Sequence, residues 1–484
     1  MGELLPSTAV EATRALRERR VGALELLDFY LERVERLNGP INAVVALDAE
    51  GARARAREAD DALARGENWG PLHGLPMTIK DSLEVVGMPT TSGAPPLEGH
   101  RPERNADSVQ RLVDAGAVIF GKTNLPLYAG DFQSYNEVYG TTGNPWNPER
   151  VPGGSSGGAA AALAAGLTPL ELGSDIGGSI RNPAHFCGVY GHKPSYGIVP
   201  MRGHIPGPPG TLADGDLAVV GPLARGAEDL ALALDVLAGP DSRDARGWRL
   251  ELAPPRHSRL GDFRVAAWLD DPACPVSTEV GELLESAVSG LEREGVAVDR
   301  KARAVESQPS FGVYLRLLYS VMGADFPPAL LHGFDEAYPS LEPDDESLSS
   351  QMVRAIAQPH REWLRDHERR AELRARWDAF FERFDVLLAP IMPTAAFAHD
   401  HSPIESRTLE VNGEALPYLQ QIFWAGLATV AFLPSTVAPI GLTPSQLPVG
   451  IQVIGPSLED RTCIEFARQL TQQVGGFQTP PGFA

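Results

Sequence analysis

Residues 152–166 read PGGSSGGAAAALAAG. The alanine-rich run after the two serines is a strong helix former with no charged face, so it belongs inside a larger fold. Four glycines frame Ser155 and Ser156. Glycine costs conformational entropy, so such a cluster marks backbone positions that other residues cannot occupy. Four readings compete: a phosphate cradle, a serine nucleophile on a tight turn, a flexible linker, or part of a larger serine-based site.

The chain has 484 residues, 43% hydrophobic and 22% charged, which is globular composition with length for a large core. Its formal net charge of −21 repels polyanions and argues against direct nucleic-acid binding. The three cysteines, Cys187, Cys274 and Cys463, are odd in number and widely spaced. They form no disulfide framework or zinc pattern, which fits a reducing, cytoplasmic setting. The first twenty residues lack a basic segment leading into an apolar one, so no signal peptide is expected. No apolar run reaches 18 residues, so no membrane span is expected either.

Residues 1–66 read as helices packed on a core. Thr8 and Glu11 have capping-box spacing, and Leu27, Leu31 and Val34 share a face before the Gly39-Pro40 stop. From residue 71, short apolar runs alternate with Gly/Pro turns and helices: LPMTIKDS, AVIFGKTN, TPLELGSDIGGS. That texture argues an α/β sheet with sites at strand ends. A mainly helical insertion spans about 264–384, with helices expected at 277–292, 311–323 and 346–382, and the buried-strand pattern resumes at DVLLAPIMP and VGIQVIG.

Three readings of the glycine loop weaken on inspection. A phosphate loop needs Lys and Ser/Thr after its last glycine, and alanines stand there. A linker would not lead into a buried helix. Gly153–Gly157 matches the G-x-S-x-G elbow of α/β-hydrolase-type esterases, but proline-rich loop precedes it where the elbow needs a strand. The fourth reading gains from two other segments. Ser179 follows Gly177-Gly178 at the end of an apolar run, where successive backbone N–H groups can converge on an oxyanion. Lys80 ends the apolar strand MTIK, where desolvation can make it a neutral base.

Together these segments resemble the amidase signature family. Lys80 and Ser155 are 75 residues apart, and Ser155 and Ser179 are 24 apart. The likeness is dense over residues 70–240 and looser at PSTVAPIG and PVGIQVIG. It implies a large mixed, mostly parallel sheet covered by helices on both faces. It implies Ser179 as nucleophile, Ser155 as bridging serine after a cis peptide bond, and Lys80 as base. It also implies Ile176, Gly177, Gly178 and Ser179 as oxyanion hole, and Ser156, Asp175 and Arg181 as supports held by hydrogen bonds. Asp81 should then face away from the Lys80 amine.

The implied activity is hydrolysis of a carboxylic amide through an acyl-enzyme, extending to aryl amides, esters or carbamates, with no metal or cofactor. The expected partners are a small-molecule substrate and water, and the expected assembly is a monomer or homodimer. Leu127, Tyr128 and Gly130 lie where the family shapes its acyl pocket, and Leu127 and Tyr128 depart from its acidic residue and Phe. Two alternatives stay open: the A subunit of a tRNA-dependent amidotransferase, and a non-catalytic binding protein on the same scaffold. Asp214/Asp216 and His399/His401 read as turn residues, Cys187 as a buried small hydrophobe, and Tyr314, Tyr319, Trp363, Trp377 and Trp424 as mostly core.

Overall fold

A computed structural model describes residues 8–342, 345 and 347–483. Residues 1–7 of the expected N-terminal helical segment, and 346 of the expected 346–382 helix, lie outside the described residues. Helix α1 (Ala9–Arg17) starts on the expected capping box: Thr8 Oγ1 accepts from the Glu11 amide at 3.2 Å, and the Glu11 carboxylate accepts from the Thr8 amide at 3.3 Å. In α2 (Ala23–Leu37), Leu26, Leu27, Tyr30, Leu31 and Val34 are buried. The Asp60 carboxylate of α3 (Ala49–Ala64) caps α2 by accepting from the Ala23 and Leu24 amides. Arg33 reaches the carbonyls of Ala165, Gly166 and Phe483, which ties α2 to distant parts of the chain.

The strands in chain order are β1 (Val44–Leu47), β2 (Pro76–Lys80), β3 (Val118–Thr123), β4 (Tyr135–Asn136), β5 (Gly140–Thr141), β6 (Leu170–Asp175), β7 (Tyr190–Lys193) and β8 (Val219–Ala224). Then come β9 (Arg264–Ala267), β10 (Ala297–Asp299), β11 (Val386–Ala389), β12 (Thr408–Val411), β13 (Glu414–Pro417), β14 (Ser435–Leu442) and β15 (Pro448–Ile454). Eleven strands form one sheet, in the order β1-β3-β2-β6-β8-β7-β14-β15-β11-β9-β10. Strands β4 with β5, and β12 with β13, make separate ribbons.

The expectation of a mostly parallel sheet is wrong. Four neighbouring pairs are parallel: β3/β2, β2/β6, β11/β9 and β9/β10. The other six are antiparallel, including the whole centre from β6 through β8, β7, β14 and β15 to β11. Strands buried on both faces read as continuous apolar runs whatever their direction. β2, β6, β8 and β15 are buried throughout, so their sequences carry no sign of direction.

The remaining helices flank this sheet. They are α4 (Asp107–Asp114), α5 (Gly157–Ala164), α6 (Arg181–Cys187), α7 (Ala227–Leu237), α8 (Thr278–Arg293), α9 (Ser307–Met322), α10 (Pro328–Ala337), α11 (Leu348–Ala357), α12 (His360–Phe381), α13 (Phe423–Thr429) and α14 (Asp460–Val474). The single helix expected over 346–382 is two. Gln358 and Pro359 adopt extended backbone between α11 and α12, because proline disfavours the helical conformation in the residue before it. No helix among the described residues is long and apolar enough to cross a membrane.

Every residue of α5 is buried, as its composition demands. Its first turn lies directly against the chain beyond β3: a Cβ at Gly158 would stand 2.4 Å from the Asn124 amide nitrogen. Gly281, inside α8, has nothing within 4 Å of the same position. G158A should therefore cost about 1–3 kcal/mol through overpacking. G281A should be neutral or stabilise by up to about 1 kcal/mol through helix propensity. Urea-unfolding midpoints of the two variants check both signs.

Candidate active site

Strands β2 and β6 run side by side in parallel, and Lys80 at the end of β2 and Ser174 near the end of β6 both reach the glycine loop. Lys80, the last residue of β2, is fully buried. Its Nζ lies 2.6 Å from Ser155 Oγ and 3.0 Å from Ser174 Oγ. Burial pulls the Lys80 amine down to about 7, against the opposing pull of Asp175 and Glu171. Hydroxyls both donate and accept, so they can satisfy a neutral amine. Lys122 has a different set of partners: its Nζ donates to the Leu83 and Pro89 carbonyls and Thr90 Oγ1, and lies 3.2 Å from Asp81 Oδ1. Two carbonyls and a carboxylate can only accept, so these partners suit an ammonium, while burial pulls the Lys122 amine down against the opposing pull of Asp81. Asp81 faces Lys122 and the Thr91 amide and hydroxyl, away from Lys80 as expected.

The Gly154–Ser155 peptide bond is cis. The Asn182 side chain grips it from α6: Asn182 Oδ1 accepts from the Gly154 amide at 3.0 Å, and Nδ2 donates to the Gly154 carbonyl. A Cβ on Gly154 would stand 2.3 Å from the Asp131 carbonyl oxygen, so only glycine fits. The segment before Ser155 is not a strand. The G-x-S-x-G elbow therefore lacks the strand it requires.

Ser179 is placed beside this loop because its carbonyl accepts from the Ser156 amide at 3.0 Å. Its side chain makes no hydrogen bond among the described residues, to Ser155 or to any other, and it stays 8% exposed while Lys80 is sealed. Of the four backbone N–H groups expected to face an oxyanion, that of Gly178 is taken by Asp175 Oδ1 at 3.0 Å. Those of Ile176, Gly177 and Ser179 have no acceptor among the described residues.

Asp175 and Arg181 hold the turn between β6 and α6. Both are fully enclosed, with Arg181 Nη2 at 2.8 Å and Nε at 3.0 Å from the carboxylate. Arg181 also reaches the Ala425 carbonyl, Thr429 and Gln452. Its guanidinium holds the Asp175 carboxyl below the usual carboxylate range although burial pushes it up. Ser156 Oγ contacts the backbone of Ser174.

Sequence reading missed Ser174, Asn182, Glu171 and Tyr314. Ser174 and Glu171 sit inside the TPLELGSDIGGS segment already singled out, and Asn182 follows it by three residues. Tyr314 comes from the insertion, and its hydroxyl donates to the Ile176 carbonyl at 2.8 Å. Leu127 and Tyr128 are 50% and 42% exposed, in a turn closed by the Gly130 amide on the Leu127 carbonyl. It is the backbone of the next residues, Asp131–Gln133, that lies against Gly154 and leaves no room there for a side chain. Asp216 pairs with Arg370, His399 lies against the Pro148 carbonyl, and His401 stacks on Tyr135.

Comparison with known proteins gives the family. A curated relative, the glutamyl-tRNA(Gln) amidotransferase A subunit of Anaeromyxobacter sp. (strain K), is 33% identical over 97% of each chain. A solved structure bearing on the evolutionary origins of an s-triazine catabolic enzyme, that of a vestigial protein complex, superposes with a TM-score of 0.81 at 29% identity, covering 98% of this chain and 99% of the other. A bacterial aryl acylamidase superposes with a TM-score of 0.80 at 26% identity, covering 96% of each chain. Residues 25–464 match the Amidase family, and the chain belongs to this amidase signature family of hydrolases.

Proposed function

We propose that the chain cleaves the C–N bond of a carboxylic amide through an acyl-enzyme on Ser179, with Lys80 as base and Ser155 as relay. The observation that carries the reading is the sealed Lys80 amine 2.6 Å from Ser155 Oγ. Neutral Lys80 accepts the Ser155 proton, and Ser155 Oγ accepts the Ser179 proton as Ser179 attacks the carbonyl carbon. This second link needs Ser179 to turn toward Ser155, a rotamer change open to a hydroxyl without a partner. The developing oxyanion has the free N–H groups of Ile176, Gly177 and Ser179 to receive it. Ser155 passes the proton held by Lys80 to the leaving nitrogen and the C–N bond breaks. Water, giving a proton to the same relay, then attacks the ester, the Ser179–acyl bond breaks, Ser179 takes back the proton and the carboxylic acid leaves.

The use made of the cleaved amide divides this reading. The 33% identity to an amidotransferase A subunit, over 97% of both chains, favours a chain that works with a partner on glutamyl-tRNA(Gln). The net charge of −21 is compatible with this where the partner holds the RNA. The likeness to an aryl acylamidase supports free-standing hydrolysis of aryl amides, esters or carbamates instead. The purified chain, assayed alone on a para-nitroanilide panel and on glutamine, separates the two. Anilide turnover by the chain alone supports the hydrolase. Glutamine turnover that requires a second, co-purifying protein supports the amidotransferase.

Both versions share the same chemistry and the same two expectations. S179A and S155A should each lower kcat by about 10⁴-fold or more while melting as the parent does. A variant of either serine that keeps most of its turnover would refute the serine relay. Lys80 is protonated below its pKa and then cannot accept a proton. The kcat/KM profile should therefore fall on the acid side with an apparent pKa of about 7, as steady-state kinetics from pH 5 to 9 would read.

A further inference from the structure

The turn after β6 is held from two directions. From inside, the Asp175 carboxylate accepts from the Gly178 amide at 3.0 Å, the Ile180 amide at 3.1 Å and the Arg181 amide at 3.4 Å. The Ile176–Gly177 peptide lies outside this grip. It also lies beyond the sheet, whose ladder with β8 ends at Asp175 opposite Val219. Its carbonyl is met instead by Tyr314 of α9, whose hydroxyl donates to the Ile176 oxygen at 2.8 Å.

That hydrogen bond reaches the reaction through the peptide plane. The Ile176–Gly177 bond is trans, so its C=O and the Gly177 N–H point to opposite sides of one rigid plane. Fixing the oxygen fixes the direction of the N–H. We propose that Tyr314 is a positioning residue for the reaction: its hydroxyl holds the Ile176–Gly177 peptide with the Gly177 N–H turned toward the carbonyl oxygen that becomes the oxyanion. The inference rests on the reading of Ser179 as nucleophile.

Glycine makes the restraint necessary. With no Cβ on residue 177, the peptide before it can turn over at little steric cost. A turned peptide would present the Ile176 oxygen where the N–H stood, so a donor to the oxyanion would become a repelling lone pair. A side chain that could stiffen the peptide meets Ile422, whose Cδ1 would stand 2.9 Å from a Cβ on Gly177. The tyrosine ring is held in turn. It is fully buried, and the backbone of α13 lies against it, where a Cβ on Gly426 would stand 2.5 Å from Tyr314 Cδ1. The hydrogen bond also polarises the peptide, which strengthens the donor on its other side.

Y314F removes the hydroxyl and keeps the ring. What is lost is an interaction of the transition state, so kcat and kcat/KM should fall together, by about tenfold or more, with KM within about twofold of the parent's. Phe311, one turn earlier on the same face of α9, packs against Phe423 of α13 with ring centroids 5.2 Å apart. F311L loosens the same helix contact without touching Ile176 and should keep kcat within about twofold. Both variants are assayed on the substrate that the parent turns over, with its co-purifying partner where one is required, at a temperature where circular dichroism shows them folded. A Y314F kcat within about twofold of the parent's, a fall confined to kcat/KM through a raised KM, or an F311L loss as large as that of Y314F overturns the role of Tyr314. S179A run alongside separates the two failures: an active S179A sinks the mechanism itself, whereas a dead S179A with an unimpaired Y314F sinks only the role of Tyr314.

Discussion

A lysine amine sealed in the core, with hydroxyls rather than a carboxylate in hydrogen-bond reach, is the constraint from which the rest of this site follows. Moving an amine from its ordinary 10.5 to about 7 is a bias of about 5 kcal/mol against its charged form. β2 is buried at every position and ends on Lys80, so the strand itself carries the amine into the core. The chain uses only four lysines, Lys80, Lys122, Lys193 and Lys301, among its 42 basic residues, and the first three are buried. Arginine serves nearly everywhere a fixed charge suffices, but it cannot give up its proton. Where a neutral base is needed, lysine cannot be replaced.

Satisfying that amine with hydroxyls requires three chain segments to meet. Ser174 comes with the neighbouring strand and needs no special device. Ser155 sits on a loop that cannot be held by sheet pairing. Asn182 grips both polar atoms of Gly154, and the buried helix α5 fixes the other side. Ser179 is set by the turn after β6, which the Asp175–Arg181 pair locks through the Gly178, Ile180 and Arg181 amides. The same carboxylate thus removes one of the four N–H groups from an oxyanion and leaves three.

Much of this was legible in the sequence, because local chemistry dictates it. A run of glycines beside serines, a lysine closing an apolar strand and an alanine helix that must be buried are all short-range signals. The direction of the central strands was not legible, since doubly buried strands look alike whichever way they run. Nor was the contribution of Tyr314, whose hydroxyl reaches Ile176 from 138 residues away. Glu171 lay within the singled-out TPLEL run and was passed over, since a charged residue in an apolar strand becomes informative only once its neighbours across the sheet are known. The approach of Asp131–Gln133 to the glycine loop was not legible either, while Leu127 and Tyr128 just before them are exposed in a tight turn.

The most direct test is to titrate the lysines themselves. With only four in the chain, ¹³Cε-labelled lysine gives a spectrum simple enough to assign by comparison with K80M. The account requires the Lys80 resonance to shift with a midpoint near 7. A Lys80 signal that stays at the ammonium position until above about pH 10, the ordinary lysine range, would contradict the neutral-base account outright.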